Sequence, residues 1–238
     1  MSIYSPLENS FHVPWVLQAA LFSGLLLIVA GLAVRRRLAT GDPTLPDEGV
    51  SLRNMLEVIT EYLAGLAEMT MGVEYRRWFP IVGTIFLFVL LCNVMGLIPF
   101  LPGATSDVNT TTAWAIISFL VYNVVGIQRH GWKYIYQFMG PSILNWKIGG
   151  RHFHVRLLAP IFLPLEIVLH FARILTLSVR LLANMFADHT VVAVWISMVP
   201  IVVPAVFLGL GLLVAVLQAF VFSLLTMIYI GQALEEPH

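Results

Sequence analysis

The sequence predicts an all-α polytopic membrane protein: a single membrane domain, 1–238, with about five membrane-embedded helices plus one interfacial amphipathic helix, the last two embedded helices forming a long tilted hairpin. Three observations carry that expectation. Of the 238 residues, 59% are hydrophobic and 11% charged, against roughly 25% charged in a soluble domain, and mean hydropathy is +0.88. Several charge-free runs reach about 20 residues, enough to cross a hydrocarbon core of ~30 Å at 1.5 Å per residue. The basic residues collect in alternate connecting segments, as a multi-pass topology requires. Thirteen Lys+Arg balance thirteen Asp+Glu, so net charge suggests no nucleic-acid partner. The single cysteine, Cys92, excludes an intrachain disulfide and a zinc site built from paired cysteines.

The first span, 14–34, ends at Arg35-Arg36-Arg37, a cluster that belongs on the cytoplasmic side and puts the N-terminus outside. The preceding residues lack the basic start and small-residue cleavage site of a signal peptide, so this run is expected to stay as an anchor. A turn-rich linker, 41–49, leads to 51–72, where Leu52, Met55, Leu56, Ile59, Leu63 and Leu66 share one helical face. Arg53, Glu57, Glu61 and Glu68 fall mostly on the other, the pattern of a helix lying at the cytoplasmic interface. Its excess of Glu argues against a detector of anionic lipids.

Arg76-Arg77 open a helical hairpin, 78–128, that crosses outward with Asn93 inside the membrane and returns to Arg129 and Lys133. A cytoplasmic stretch with Lys147, Arg151 and Arg156 reads as a basic loop. Every Lys and Arg except Arg173 and Arg180 then falls in a segment placed inside. The long tilted helix, 157–199, has no glycine from Pro160 to Val199 and reaches about 60 Å as a continuous helix, twice what a perpendicular span needs. Pro200 and Pro204 break it, and a last helix, 204–231, returns to a cytoplasmic C-terminus.

Within the long helix Glu166, His170, Arg173, Leu177, Arg180, Asn184 and Asp188 recur at steps of four and three, so one face is polar at all but one place. A charge at the bilayer centre costs about 2.5 to 3.5 kcal/mol on insertion scales, so this stripe must face protein or water, and it reads as an ion path. His189 lies about 13 Å from Arg180 along the axis and on the opposite side, so two sides of one helix can serve two aqueous accesses. For Glu166 and Arg173 two readings stand: part of that path, or a neutralising pair with His170 between them. Arg180 has no acid one turn away in its own helix, which implies a carboxylate from another helix or chain.

Other patterns carry less. His152 and His154 have no third metal ligand at suitable spacing, and Asn109-Thr-Thr111 is a glycosylation triplet that means nothing outside a secretory context. The sequence has no phosphate-binding glycine loop, nucleophile elbow or His-Glu-x-x-His. No cofactor and no metal are expected.

At Leu177-Ser-Val-Arg-Leu-Leu-Ala-Asn-Met-Phe-Ala-Asp-His189, with Leu217-Gln-Ala-Phe220 and Tyr229-Ile-Gly231, the chain resembles subunit a of the F-type ATP synthase. Asp107-Val-Asn-Thr110 and the 93–99 stretch fit that family too, so the likeness runs from the first span to the C-terminus. The segment 187–210 is similar to the chloroplast and cyanobacterial branch in particular. The resemblance implies a non-catalytic proton-channel subunit, partnered by a ring of c subunits and by the b-subunit peripheral stalk, in a lipid bilayer. His189 favours a bacterial inner membrane over a thylakoid. The resemblance makes Arg180 the essential arginine facing the c-ring carboxylate, with Asn184 and Gln218 as polar neighbours on the two hairpin helices. Many relatives carry Glu at the position of His189; a subset carries His there with a compensating Glu seven residues before the glutamine. In this chain that second place is Gly211, and the acid nearest His189 is Asp188. Asp188 and His189 are therefore expected to relay protons in the outside half-channel, and Glu166 and His170 to line the inside one.

A secondary ion transporter or antiporter also needs intramembrane Arg, Asp and His, yet such folds show internal repeats that are not found in this sequence. A membrane enzyme using Asp188 and His189 as a base pair lacks an evident nucleophile.

Overall fold

The computed structural model describes residues 14–40, 51–98, 103–131, 144–148, 151–155, 159–198 and 202–234. The linker at 41–49, the break at Pro200 and the acidic C-terminal tail lie outside the described residues, as do the side chains of Glu166 and His170. Among the described residues six long helices dominate, and five helical stretches are long and apolar enough to cross a membrane.

Helix α1 (Trp15–Thr40) turns Leu17, Leu21, Leu25 and Val29 outward, while Ala19 and Ser23 are buried. It continues through Arg35–Arg37, since arginine is a good helix former. Helix α2 (Leu52–Met71) starts where Ser51 accepts a hydrogen bond from the Asn54 backbone N–H at 3.2 Å, satisfying one of the orphan donors of a helix start. Leu63, Ala67 and Met71, four apart, are buried. Arg53, expected on the polar face, is buried instead and donates to Glu57 Oε1 at 2.7 Å; a guanidinium taken out of water needs such a partner. At the end of α2, Gly72 has φ 63, a left-handed conformation that glycine adopts without steric penalty.

A 3-10 turn, Gly72–Glu74, leads into α3 (Tyr75–Leu97). Proline disfavours helical backbone in the residue before it; Ile98, which precedes Pro99, is extended at ψ 122 and ends the helix. Helix α4 (Val108–His130) is capped by Asp107, whose carboxylate accepts from the Asn109 N–H at 2.7 Å. Strands β1 (Leu144–Ile148) and β2 (Arg151–Val155) form a two-stranded antiparallel ribbon where the sequence reads as a basic loop. The Gly149-Gly150 pair between two short runs is the hairpin signal that this reading passes over. Helices α5 (Ala159–Met198) and α6 (Val202–Leu234) complete the chain, α5 being one continuous helix of 40 residues.

The core forms around α6, which packs against α3, α4, α5 and α2. Helix α6 makes this possible with Gly211, Ala215, Ala219, Ser223 and Gly231, all buried and recurring at multiples of four, which lets backbones approach closely. At Gly231 a Cβ would fall on the Thr70 carbonyl of α2. Polar side chains tie the helices together: Asn93 donates to the Ala215 carbonyl at 3.4 Å and accepts from Thr105 at 2.9 Å, and Thr112 meets Ser178 at 3.0 Å. In an apolar surround each such bond is worth about 1 kcal/mol.

The segment after α3 folds back onto it so tightly that a Cβ on Gly103 would strike the Cys92 carbonyl oxygen and lie 2.9 Å from the Gly96 nitrogen. Both are backbone atoms and cannot swing away. Gly103→Ala is therefore expected to destabilise this junction by about 1–3 kcal/mol, the usual cost of overpacking. The change should lower the temperature at which the purified complex loses activity; an unchanged thermal inactivation profile contradicts the close approach.

Candidate functional site

The polar stripe lies on α5, where α5 packs beside α6 and the C-terminal end of α3. Its single apolar place, Leu177, is buried in the core. One turn further, Arg180 is exposed, and among the described residues no carboxylate pairs with it. Thr176, Ala183 and Ala187, at steps of four, three and four with Arg180, are also exposed. The arginine thus rises from a strip of small side chains. Apolar side chains are exposed along both hairpin helices: Val179 and Phe186 on α5, and Val206, Leu210, Leu213 and Leu217 on α6. A permanent cation in such a surface demands an anionic partner or water.

Asn184, one turn beyond Arg180, donates to Gln218 Oε1 on α6 at 2.7 Å. Gln218 is 5% exposed, and its Nε2 has no hydrogen-bond partner among the described residues.

Asp188 and His189 are neighbours in sequence but turn to different helices. Asp188 faces Gly211 of α6, where a Cβ would stand 3.6 Å from the carboxyl Cγ and from Oδ2. The carboxyl group therefore lies against α6 at Gly211. His189 Nε2 meets the Gly96 carbonyl oxygen at 2.8 Å. That carbonyl is among the last of α3 and has no intrahelical partner. Because a carbonyl only accepts, Nε2 carries the hydrogen, and Nδ1 is the nitrogen left to take up a proton. A Cβ at Gly96 would meet Met185 Cε, the movable end of a side chain.

At the other end of the stripe, Arg173 donates to Gln232 Oε1 at 3.3 Å and sits over the Tyr229 ring at 4.4 Å and the Tyr122 ring at 5.8 Å. Its charge is met by an amide and two aromatic faces. Glu166 and His170 lie on α5 beyond it, with side chains outside the described residues. The structure thus brings together Asn184 with Gln218 and seats Asp188 on Gly211, while Arg180 stands apart. Sequence reasoning missed the Gly96 carbonyl, the aromatic seat of Arg173 and the small residues flanking Arg180. The four-three-four spacing of Thr176, Arg180, Ala183 and Ala187 was a legible signal for the last.

Comparison with known proteins bears on what this arrangement serves. The family described as ATP synthase A chain matches residues 16–231. The chain is 38% identical over 234 residues to ATP synthase subunit a 1 of Syntrophotalea carbinolica, covering 98% of this chain and 92% of that protein. It is 38% identical over 210 residues to ATP synthase subunit a of Bdellovibrio bacteriovorus, covering 87% and 86%. It is 39% identical over 213 residues to ATP synthase subunit a of Geobacter sulfurreducens, covering 90% and 84%. With a family match over nearly its whole length and relatives of this similarity, the chain belongs to the ATP synthase A chain family, the non-catalytic proton-channel component of the F-type membrane sector.

Proposed function

We propose that this chain is the stator of a rotary proton motor in a bacterial inner membrane. It would supply two aqueous half-channels to the carboxylates of a c-subunit ring and be held by a b-subunit stalk. The observation that supports this best is Arg180, exposed on a strip of small residues with no carboxylate partner among the described residues. A ring helix can come close to such a strip and present its acid there.

The chemistry follows from charge. A cation within ~4–6 Å lowers a carboxylate's pKa by about 1–3 units, so a protonated acid arriving at Arg180 gives up its proton. Because the guanidinium stays protonated at any working pH, it also blocks protons from passing directly between the two accesses. On one side, about 12 Å along α5, Asp188 and Nδ1 of His189 would pass protons between the outer water and the ring. On the other, Glu166 and His170, about 15 to 21 Å from Arg180, would line the inner access. The hydrogen-bonded Asn184 and Gln218 supply polar contacts for the ring carboxylate as it leaves the arginine.

The test is passive proton conduction. Vesicles containing the membrane sector, stripped of the soluble ATPase and given an imposed potassium diffusion potential, should take up protons rapidly. Matched vesicles assembled without this chain should not. Equal conduction by both would contradict the reading.

A further inference from the structure

We propose a second site, distinct from the proton path: a pocket for the phosphate headgroup of an anionic phospholipid, built by Arg76, Arg77 and Arg129 where α2, α3, α4 and α6 end together. An open cavity of about 390 Å³ lies there, lined by those three arginines, Glu74, Gln128 and Trp78, with Val73, Val125 and Leu234 completing the wall. That volume falls within the ~300–1,000 Å³ range of small-ligand sites, enough for a phosphate and its glycerol.

Its charge is unbalanced. The carboxylate on the wall, Glu74, pairs with Arg129 at 2.8 Å. Arg76 is held to Tyr75, its Nε donating to the phenol oxygen at 3.4 Å and its guanidinium 5.9 Å from the ring. Arg77 lies 5.1 Å over the Trp78 ring and donates to Gln128 Oε1 at 3.3 Å. Neither has a carboxylate within ion-pair distance among the described residues. Among the described residues that line the cavity, three guanidinium groups face one carboxylate. Trp78 is buried and forms part of the cavity wall. The surplus is therefore of donors, the chemistry that phosphate oxygens satisfy, arginine above all.

Position selects the lipid. Arg76 and Arg77 stand at the first turn of α3 and Arg129 at the last turn of α4, where apolar spans end and headgroups lie. Tyr75 and Trp78 are the aromatic residues that favour that depth. Val73 is 96% exposed, and with Leu234 it offers an apolar wall to the ester carbons, which inorganic phosphate lacks. The glutamates of α2 do not line this cavity, and Glu68 acts on Arg76 only as a weak, longer-range charge.

The experiment uses the whole complex, delipidated in neutral detergent. Short-chain phosphatidylglycerol, phosphatidylcholine and inorganic phosphate are added separately and in competition, and retained lipid is counted by native mass spectrometry. Wild type should retain phosphatidylglycerol over phosphatidylcholine, millimolar inorganic phosphate should not displace it, and Arg76→Gln/Arg77→Gln should weaken retention about 10-fold or more. Arg76→Lys/Arg77→Lys, which keeps the charge, should stay within a few-fold of wild type. If the double glutamine variant does not assemble, Arg77→Gln alone carries the comparison, with a several-fold loss expected. Equal retention by wild type and the glutamine variant, equal retention of the two lipids by wild type, or displacement by inorganic phosphate would each overturn the proposal.

Discussion

Replacing Arg180 with alanine is expected to stop ATP-driven acidification of inverted vesicles while the complex still assembles. Among the described residues no carboxylate pairs with Arg180, and the side chain is exposed, so its removal breaks no ion pair among them and opens no buried cavity. In the proposed mechanism what is lost is the field at the ring carboxylate. A shift of 1–3 pKa units is a factor of about 10 to 1,000 in the proton-release equilibrium, and pumping should fall by that range. Arg180→Lys should fail nearly as badly. An ammonium loses its proton readily in a desolvated setting and has no planar fork to hold a carboxylate at two points. Pumping at wild-type rates in either variant would return Arg180 to the status of a surface cation.

The second large effect is expected at the outer access. Asp188→Asn with His189→Ala removes both groups that can carry a proton there, and conduction should drop about 100-fold or more, the scale on which positioned acid–base groups act. Geometry adds a sharper form. A Cβ at Gly211 would stand 3.6 Å from Oδ2 of Asp188, and the one closer atom is Cδ2 of Leu97 at 2.8 Å, the movable end of a side chain. Gly211→Glu should therefore restore conduction to Asp188→Asn by returning a carboxylate to the same space from the facing helix. Passive proton uptake by stripped vesicles reads both variants. Full conduction in the double variant means that protons enter elsewhere.

Much of this architecture is legible in the sequence because the membrane imposes simple rules. Absence of glycine from Pro160 to Val199 announces the long helix that the structure has as α5. Hydrophobic length likewise announces the spans, and Ser51 and Asp107 sit where helix caps belong. The candidate stripe is legible for the same reason, since charged residues at four-three spacing in an apolar helix stand out.

What escaped notice depends on tertiary approach. Nothing in composition says that His189 meets the Gly96 carbonyl, because the partner is a backbone atom exposed by the ending of another helix. The buried Arg53 lies on a helix whose periodicity points to a polar outer face; only packing against neighbours decides which side of α2 is covered. Arg173 reads as a member of the ion path or of a pair with Glu166, yet it stacks on Tyr229 and Tyr122, from helices remote in sequence. The small-residue line of α6 from Gly211 to Gly231 is visible once sought, but a uniformly apolar helix hides which of its faces is core.

The central claim is that the strip carrying Arg180 meets the ring. Disulfide trapping tests it most directly. Ala183→Cys lies three residues from Arg180 on the same exposed strip, and the native Cys92 is buried and should not compete. Paired with a cysteine one turn from the ring carboxylate and treated with mild oxidant, Ala183→Cys should form an intersubunit disulfide, while Leu120→Cys, exposed on α4, should not. Trapping at Leu120→Cys and none at Ala183→Cys would put the rotor against another face and contradict the account.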